Sequence, residues 1–190
     1  SHGIIDCIPK VNFLKSFYNK VKFSGLKRIA SYGFCLPNKG FKELIYAVSL
    51  LRKTDLKVSL TIFSAIYSDQ YKYEYQELMQ LIQDLKLENL VTIIPDYMSD
   101  EDTLNNLNQF DCLVFPYQVS NESSSAAVRH ALASLRPVLV SPISIFSDVY
   151  DLVYKLPGQT SSEISDGIYR WFKSSDRSIK NTKYNNDYKK

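Results

Sequence analysis

The sequence predicts an α/β domain in which a parallel β-sheet carries helices on both faces. Short apolar runs alternate along the chain with longer segments whose apolar residues recur at helical spacing. Most of the short runs are apolar at nearly every position, as expected for strands that are covered on both sides. The connections between the segments are short, which favours a Rossmann-like arrangement of strand, helix and parallel strand.

Five strands and five helices follow from this alternation. The strands are expected at 26–34, 56–65, 90–95, 111–115 and 137–140. The helices are expected at 41–51, at 71–87, from the cap Ser99 to Leu107, from the serines Ser123–Ser125 onward, and at 161–172. The segment 147–154 fits either a turn of helix or a short strand.

The chain divides into one domain and two flanking segments. Residues 1–24 mix turn residues, lysines and aromatics without a clear period and are interpreted as an interdomain linker. Residues 25–173 form the predicted domain, and 174–190 form a polar tail that we expect to be loosely ordered. The abrupt opening at Ser1 suggests part of a longer protein.

Composition excludes several classes of function. The formal charge of +3, from 23 Lys and Arg against 20 Asp and Glu, is too small to indicate a nucleic-acid partner. No apolar run reaches membrane length, and no signal peptide opens the chain. The cysteines Cys7, Cys35 and Cys112 lack metal-binding spacing, so we expect free thiols in a reducing, cytoplasmic compartment and no metal site.

The first strand is followed by a loop suited to a diphosphate. Gly33 and Gly40 permit tight turns and close approach of the backbone, and Lys39 places a cation beside the start of a helix. The loop is neither a GxGxxG motif nor a Walker loop, so a conventional NAD or P-loop site is not expected. An ordinary turn with a solvated lysine is an equally reasonable interpretation of this loop alone.

The fourth strand leads to a carboxylate and a serine-rich helix start. Glu122 can accept hydrogen bonds from sugar hydroxyls, and Ser123, Ser124 and Ser125 can offer donors to a phosphate. Asn121 and Glu122 could instead only cap the helix. His130, farther along, is by its setting more often a packing or surface residue than a catalytic one.

Several motifs stand in a characteristic order, and together they resemble a known family. They are Tyr32-Gly33-Phe34 before Pro37-Asn38-Lys39-Gly40, the strand Asp111 to Pro116, Glu122, Ala131-Leu132-Ala133-Ser134 before Arg136-Pro137-Val138, and the opening His2-Gly3-Ile4-Ile5-Asp6. Over residues 2–173 the sequence resembles the C-terminal half of a GT-B glycosyltransferase. The resemblance is to the large retaining family that includes bacterial mannosyl- and glucosyltransferases.

This resemblance implies roles for individual residues. Lys39 and Glu122 would act in catalysis, Lys39 on the donor diphosphate and Glu122 on hydroxyls of the donor sugar. The rest of the diphosphate site would be Gly33, Gly40, Ser123, Ser124 and Ser125. The loop Asp96-Tyr97-Met98 would lie near the base, with Tyr97 and Met98 in contact. His130 stands where the family's second acid normally holds the ribose, and Phe34 where a basic residue is common.

The leading hypothesis is therefore the nucleotide-sugar-binding half of a hexosyltransferase, with no cofactor besides the donor. Its N-terminal Rossmann-like partner domain would be absent, so the isolated chain would bind a nucleoside diphosphate weakly and transfer no sugar. The resemblance implies a glycan or lipid-linked acceptor, a role in polysaccharide or lipopolysaccharide synthesis, and a cytoplasmic place at the inner face of a membrane. The alternatives are a non-catalytic docking or scaffold module of the same fold and an unrelated nucleotide-binding domain such as an epimerase or a receiver domain.

Overall fold

A six-stranded parallel sheet forms the centre of the computed structural model, which describes residues 25–120 and 124–174. Its strands lie in the order β3-β2-β1-β4-β5-β6, and each pair of neighbours is parallel. This arrangement confirms the predicted fold class. The strands are β1 Lys27–Tyr32, β2 Val58–Phe63, β3 Val91–Ile94, β4 Cys112–Phe115, β5 Val138–Val140 and β6 Tyr154–Lys155.

Five α-helices cover the two faces of the sheet. They are α1 Phe41–Leu51, α2 Lys72–Asp84, α3 Asp100–Leu107, α4 Ala126–Ala133 and α5 Ser161–Lys173. The first, second and fifth helices share one apolar core with the sheet, and the third and fourth share the other. Successive strand residues point to opposite cores, as Val114 and Phe115 do. Burial on both faces is the physical reason for the uninterrupted apolar runs in the sequence.

Two elements differ in detail from the sequence prediction. The ambiguous segment 147–154 divides between both alternatives, because a 3₁₀ turn at Ser144–Val149 precedes the short strand β6. The serine-rich helix begins later than expected, at Ala126, since Ser125 is extended and caps it. A serine at this position uses its hydroxyl to satisfy a backbone N–H that the first helical turn cannot.

The order of the strands places a crevice at one edge of the sheet. From β1 the chain moves outward through β2 and β3, then crosses back to lay β4 against the other side of β1. The loops after β1 and β4 therefore diverge at the carboxyl ends of the strands, where ligands bind in open α/β sheets. One backbone hydrogen bond of 3.0 Å, from Gln118 N–H to the carbonyl of Asn38, joins these loops.

Some predictions fall outside the described residues. They include the linker 1–24 with Cys7, the site residues Glu122 and Ser123, and the tail from residue 175. Within the described part, Cys35 and Cys112 are buried. Burial raises the pKa of the Cys35 thiol, which disfavours the reactive thiolate.

Replacing Thr160 with alanine tests the cap of α5. The hydroxyl of Thr160 accepts from Glu163 N–H at 3.3 Å and donates to the Glu163 carboxylate at 2.7 Å, and Thr160 N–H donates to the same carboxylate. We expect a loss of about 1 kcal/mol in the free energy of unfolding at neutral pH. Urea denaturation measures the loss, and Ser162→Ala, which changes an exposed serine of the same helix, is the matched control.

The same variant predicts a pH dependence. The hydrogen bond from Thr160 holds the pKa of Glu163 below its usual range. The stabilisation is therefore complete above the unfolded-state pKa of the carboxyl, about 4.3, and is lost as pH falls through the lower folded-state pKa. The difference between wild type and Thr160→Ala should shrink as pH falls below about 4.3. A difference independent of pH would contradict the role given to the Glu163 carboxylate.

Candidate functional site

A cleft of 320 Å³ opens at the carboxyl edge of the sheet, in the crevice between the loops after β1 and β4. Its walls come from these loops, the loop after β3, and the first turns of α3 and α4. Residues that are far apart in the sequence meet here. Of the predicted site residues, the cleft brings together Gly33, Lys39, Tyr97, Met98, Ser125 and His130.

Lys39 lies at one end of the cleft and is held by an aromatic ring. It ends a 3₁₀ turn that begins at Pro37, and its ammonium lies 4.1 Å from the centre of the Tyr117 ring. The ring itself is fixed, because Tyr117 is buried and packs against Phe146. A cation over an aromatic face is attracted by the ring electrons, so Lys39 is anchored at the cleft. Of the described residues that line the cleft, it is the one lysine or arginine.

The N-terminus of α4 forms the wall beside Lys39. The hydroxyl of Ser125 accepts from Val128 N–H at 3.4 Å and lies 3.3 Å from the hydroxyl of Tyr117, so its polar contacts are internal. The N–H groups of Ala126 and Ala127 lack an intrahelical acceptor by helix geometry, and both residues line the cleft. These N–H groups and the helix dipole favour an anion here.

Gly33, Gly40 and Ser124 differ in their positions relative to the cleft. Gly33 directly follows β1, lines the cleft and leaves room beside α4, since a methyl group on it would lie 3.8 Å from the side chain of Ala127. Gly40 does not line the cleft. It is buried against the backbone of Pro116, where it allows the loop after β1 to approach the end of β4 closely. Ser124 precedes the cap and also lies outside the cleft lining. The roles of Glu122 and Ser123 stay predictions.

His130 stands on the same helix face, one turn beyond Ala126. Its Nδ1 lies 3.0 Å from the carbonyl oxygen of Ala126, and its Nε2 lies 3.1 Å from Oδ1 of Asp100. The Tyr32 ring meets it edge-on, with centroids 5.9 Å apart. The imidazole thus stands in the cleft wall between the Asp100 carboxylate, the Ala126 carbonyl and the Tyr32 ring, rather than being a free surface residue.

The far end of the cleft also holds residues that the sequence did not single out for the site. Asp100 opens α3, and the sequence marked this region only as a cap formed by Ser99. Burial raises the pKa of Tyr32, and the Asp100 carboxylate raises it further, so Tyr32 remains a neutral phenol. Tyr97 stands at the rim with 77% of its surface exposed. No local pattern marks Asp100, because its contact with His130 depends on how α3 packs on α4.

Three further observations concern the cleft and the rest of the described residues. Phe34, at the position where the resemblance led us to expect a basic residue, lines the cleft, is partly exposed and packs edge-on against Tyr67, with ring centroids 5.0 Å apart. Across residues 25–120 and 124–174, no group of three or more His, Cys, Asp or Glu side chains could hold a metal ion. In the same ranges, each helix is too short or too polar to cross a bilayer.

Comparison with known families identifies the domain. The family model described as Glycosyl transferases group 1 matches residues 15–186. The chain belongs to this family. The glycosyltransferase resemblance of the sequence motifs is thereby confirmed at the level of the family, and a search of curated proteins finds no match.

Solved structures of glycosyltransferases share the fold of this group 1 domain. A glycosyltransferase from Rickettsia africae is 16% identical with a TM-score of 0.67, over 90% of this chain and 44% of its own. A trehalose-6-phosphate protein from E. coli, bound with UDP-2-fluoro glucose, is 12% identical with a TM-score of 0.69. The match covers 92% of this chain and 42% of that protein's chain. The C-terminal domain of LpcC, a group 1 family protein from Francisella tularensis, is 14% identical with a TM-score of 0.63, over 91% and 87%.

The aligned fraction of each structure shows how the length of this chain compares with theirs. It spans less than half of the full-length glycosyltransferases that it resembles, but most of the isolated LpcC C-terminal domain. These likenesses confirm a Rossmann-like domain of the GT-B type.

Proposed function

We propose that the cleft binds the diphosphate and nucleoside of a nucleotide-sugar donor and that the chain is the donor-binding half of a hexosyltransferase. The observation that supports this best is the meeting of Lys39 and the N-terminus of α4 in one cleft at the strand-order reversal. Both features favour an anion, and the rest of the cleft combines apolar and aromatic groups that suit a nucleoside with the polar side chains of Asp96, Asp100 and His130.

The chemistry of transfer suits this arrangement. The bond between the anomeric carbon and the diphosphate oxygen breaks, and the acceptor hydroxyl oxygen forms the new bond to that carbon and gives its proton to the departing diphosphate. Negative charge develops on the departing diphosphate. An ammonium and helix N–H groups fixed beside that charge lower the barrier, because they need no rearrangement when it forms. Glu122 is proposed to accept hydrogen bonds from the transferred sugar, with retention of configuration.

Other parts of the proposal concern the whole protein. We propose that an N-terminal Rossmann-like domain, joined through 1–24, completes the active site and binds a glycan or lipid-linked acceptor. The domain itself would span 25–173, followed by a polar tail. Such a protein would act in polysaccharide or lipopolysaccharide synthesis, in the cytoplasm at the inner face of the membrane. The proposal includes no cofactor besides the nucleotide sugar.

The donor class can be tested directly on the 190-residue chain. Isothermal titration calorimetry with UDP, GDP and their glucose and mannose conjugates should give weak but saturable binding to at least one nucleotide. Inorganic phosphate is the control, and it should bind much more weakly because it leaves the nucleoside part of the cleft empty. Transfer to an acceptor is not expected from this chain alone. A folded chain that binds none of these nucleotides would overturn the proposal.

A docking module is the second candidate, favoured by the exposed pair Phe34 and Tyr67 beside the cleft. The two functions differ in their need for Glu122. In the longer protein that includes the N-terminal domain, Glu122→Ala should abolish sugar transfer while circular dichroism stays unchanged. The exposed Glu88 offers a matched control, Glu88→Ala, for loss of a surface carboxylate. Equal transfer by both variants would support the docking role.

A further inference from the structure

The cleft wall beyond the helix N-terminus carries a carboxylate from a different helix. Asp100, the first residue of α3, places Oδ1 3.1 Å from Nε2 of His130 on α4. The side chain of Asp100 is 75% exposed while it lines the cleft, so the carboxylate is held and yet accessible. Among the described residues, its second oxygen has no hydrogen-bond partner.

The Asp100 carboxylate lies beside His130, and the distance of His130 from the N-terminus of α4 indicates which part of a nucleotide the carboxylate meets. From Ala126, at the anion-favouring end, the helix rises about 6 Å to His130. In a nucleoside diphosphate the ribose lies one ester linkage beyond the phosphates, so it reaches the next turn of the helix. A carboxylate repels a phosphate but accepts hydrogen bonds from a pair of neighbouring hydroxyls. The ribose diol is the part of the ligand that this chemistry selects.

We propose that Asp100 accepts hydrogen bonds from the 2′- and 3′-hydroxyls of the donor ribose, with His130 as the residue that positions its carboxylate. This inference rests on the proposed function. It assigns the acidic ribose contact to α3, although the sequence motif directed attention to position 130 on α4. Nε2 of His130 lies within hydrogen-bond distance of one carboxylate oxygen, and the ring is flanked on its other side by the carbonyl of Ala126, 3.0 Å from Nδ1.

The test compares ribonucleotides with analogues that lack the diol. Calorimetry of the 190-residue chain with UDP, GDP and their 2′,3′-dideoxy forms measures the preference for ribose. Wild type should prefer the ribose form by about tenfold, the value expected for hydrogen bonds to a charged group. Asp100→Asn should lower affinity for the ribose form by about the same factor and leave the dideoxy form unaffected, so that the preference disappears.

Two further variants make the result specific. Glu101→Gln removes the neighbouring exposed acid from α3, outside the cleft lining, and should keep the full ribose preference. The double variant Asp100→Asn with His130→Glu returns the acid to α4 and should restore much of the preference. Far-ultraviolet circular dichroism and urea denaturation check that each variant folds.

The possible failures are distinguishable. If no nucleotide binds to wild type, the proposed function fails and this inference fails with it. If nucleotides bind, but Asp100→Asn keeps the wild-type ratio of ribose to dideoxy affinity, the inference alone is wrong and the donor site stands. The inference would also be overturned if Glu101→Gln lost the ratio of ribose to dideoxy affinity as completely as Asp100→Asn does. The effect would then come from the charge at the N-terminus of α3.

Discussion

Replacing Gly40 with alanine is expected to lower the free energy of unfolding by more than about 3 kcal/mol. Gly40 has a φ of 72°, a left-handed conformation that costs other residues about 1–2 kcal/mol. An added methyl carbon would also stand only 1.8 Å from the carbonyl oxygen of Pro116. That oxygen belongs to backbone at the end of β4, so relief requires moving the sheet edge or the start of α1.

Gly25 provides a matched control for Gly40. Its φ is 70°, almost the same, but nothing lies within 4 Å of where its methyl carbon would be. Gly25→Ala therefore reports the conformational cost alone, about 1–2 kcal/mol. Urea denaturation should give Gly40→Ala a free energy of unfolding at least about 1 kcal/mol below that of Gly25→Ala. Equal stabilities would show that the loop relaxes without cost and that the contact with Pro116 is unimportant.

The clash at Gly40 should also affect the cleft. Lys39 immediately precedes Gly40, and Tyr117, which holds its ammonium, immediately follows Pro116. A shift between Gly40 and Pro116 would therefore separate the cation from its aromatic support. We expect Gly40→Ala to weaken nucleotide binding even at a temperature where the variant is folded, whereas Gly25→Ala should bind as wild type does.

Replacing Lys39 with methionine is expected to weaken binding of UDP or GDP by about 10- to 100-fold. Methionine keeps most of the length and apolar volume of lysine but removes the ammonium that we propose faces the diphosphate. Charge-assisted hydrogen bonds to phosphate are the strongest polar contacts that this cleft can offer. Calorimetry with the nucleotide that binds wild type measures the loss, and the affinity of the variant should depend less on salt.

Lys42→Met is the control for Lys39→Met. Lys42 is exposed on α1 and does not line the cleft, so its loss changes net charge equally without touching the ligand. Stability should change little in either variant, because a cation–π contact at a partly exposed site contributes about 0.5–1 kcal/mol. Equal affinities of Lys39→Met and Lys42→Met for the nucleotide would show that Lys39 does not bind the diphosphate.

The sequence by itself determined the fold of this protein and part of the site. Strands buried on both faces must be apolar throughout, so the five predicted strands were found within two residues of their predicted ends. The sixth, Tyr154–Lys155, has only two residues, too few for a pattern to show. Gly33 and Lys39 were found from their loop, since the carboxyl end of a parallel strand is where chemistry-bearing residues gather.

The tertiary structure decided which polar groups meet in the cleft and which serve the fold. Ser125, predicted to face a phosphate, caps α4, because its hydroxyl can reach Val128 N–H within one turn. Gly40 packs behind the loop, against a strand end that is distant in the sequence. Asp100 reaches His130 only because α3 and α4 lie side by side on one face of the sheet. Contacts between helices thirty residues apart leave no local pattern, and only packing brings them together.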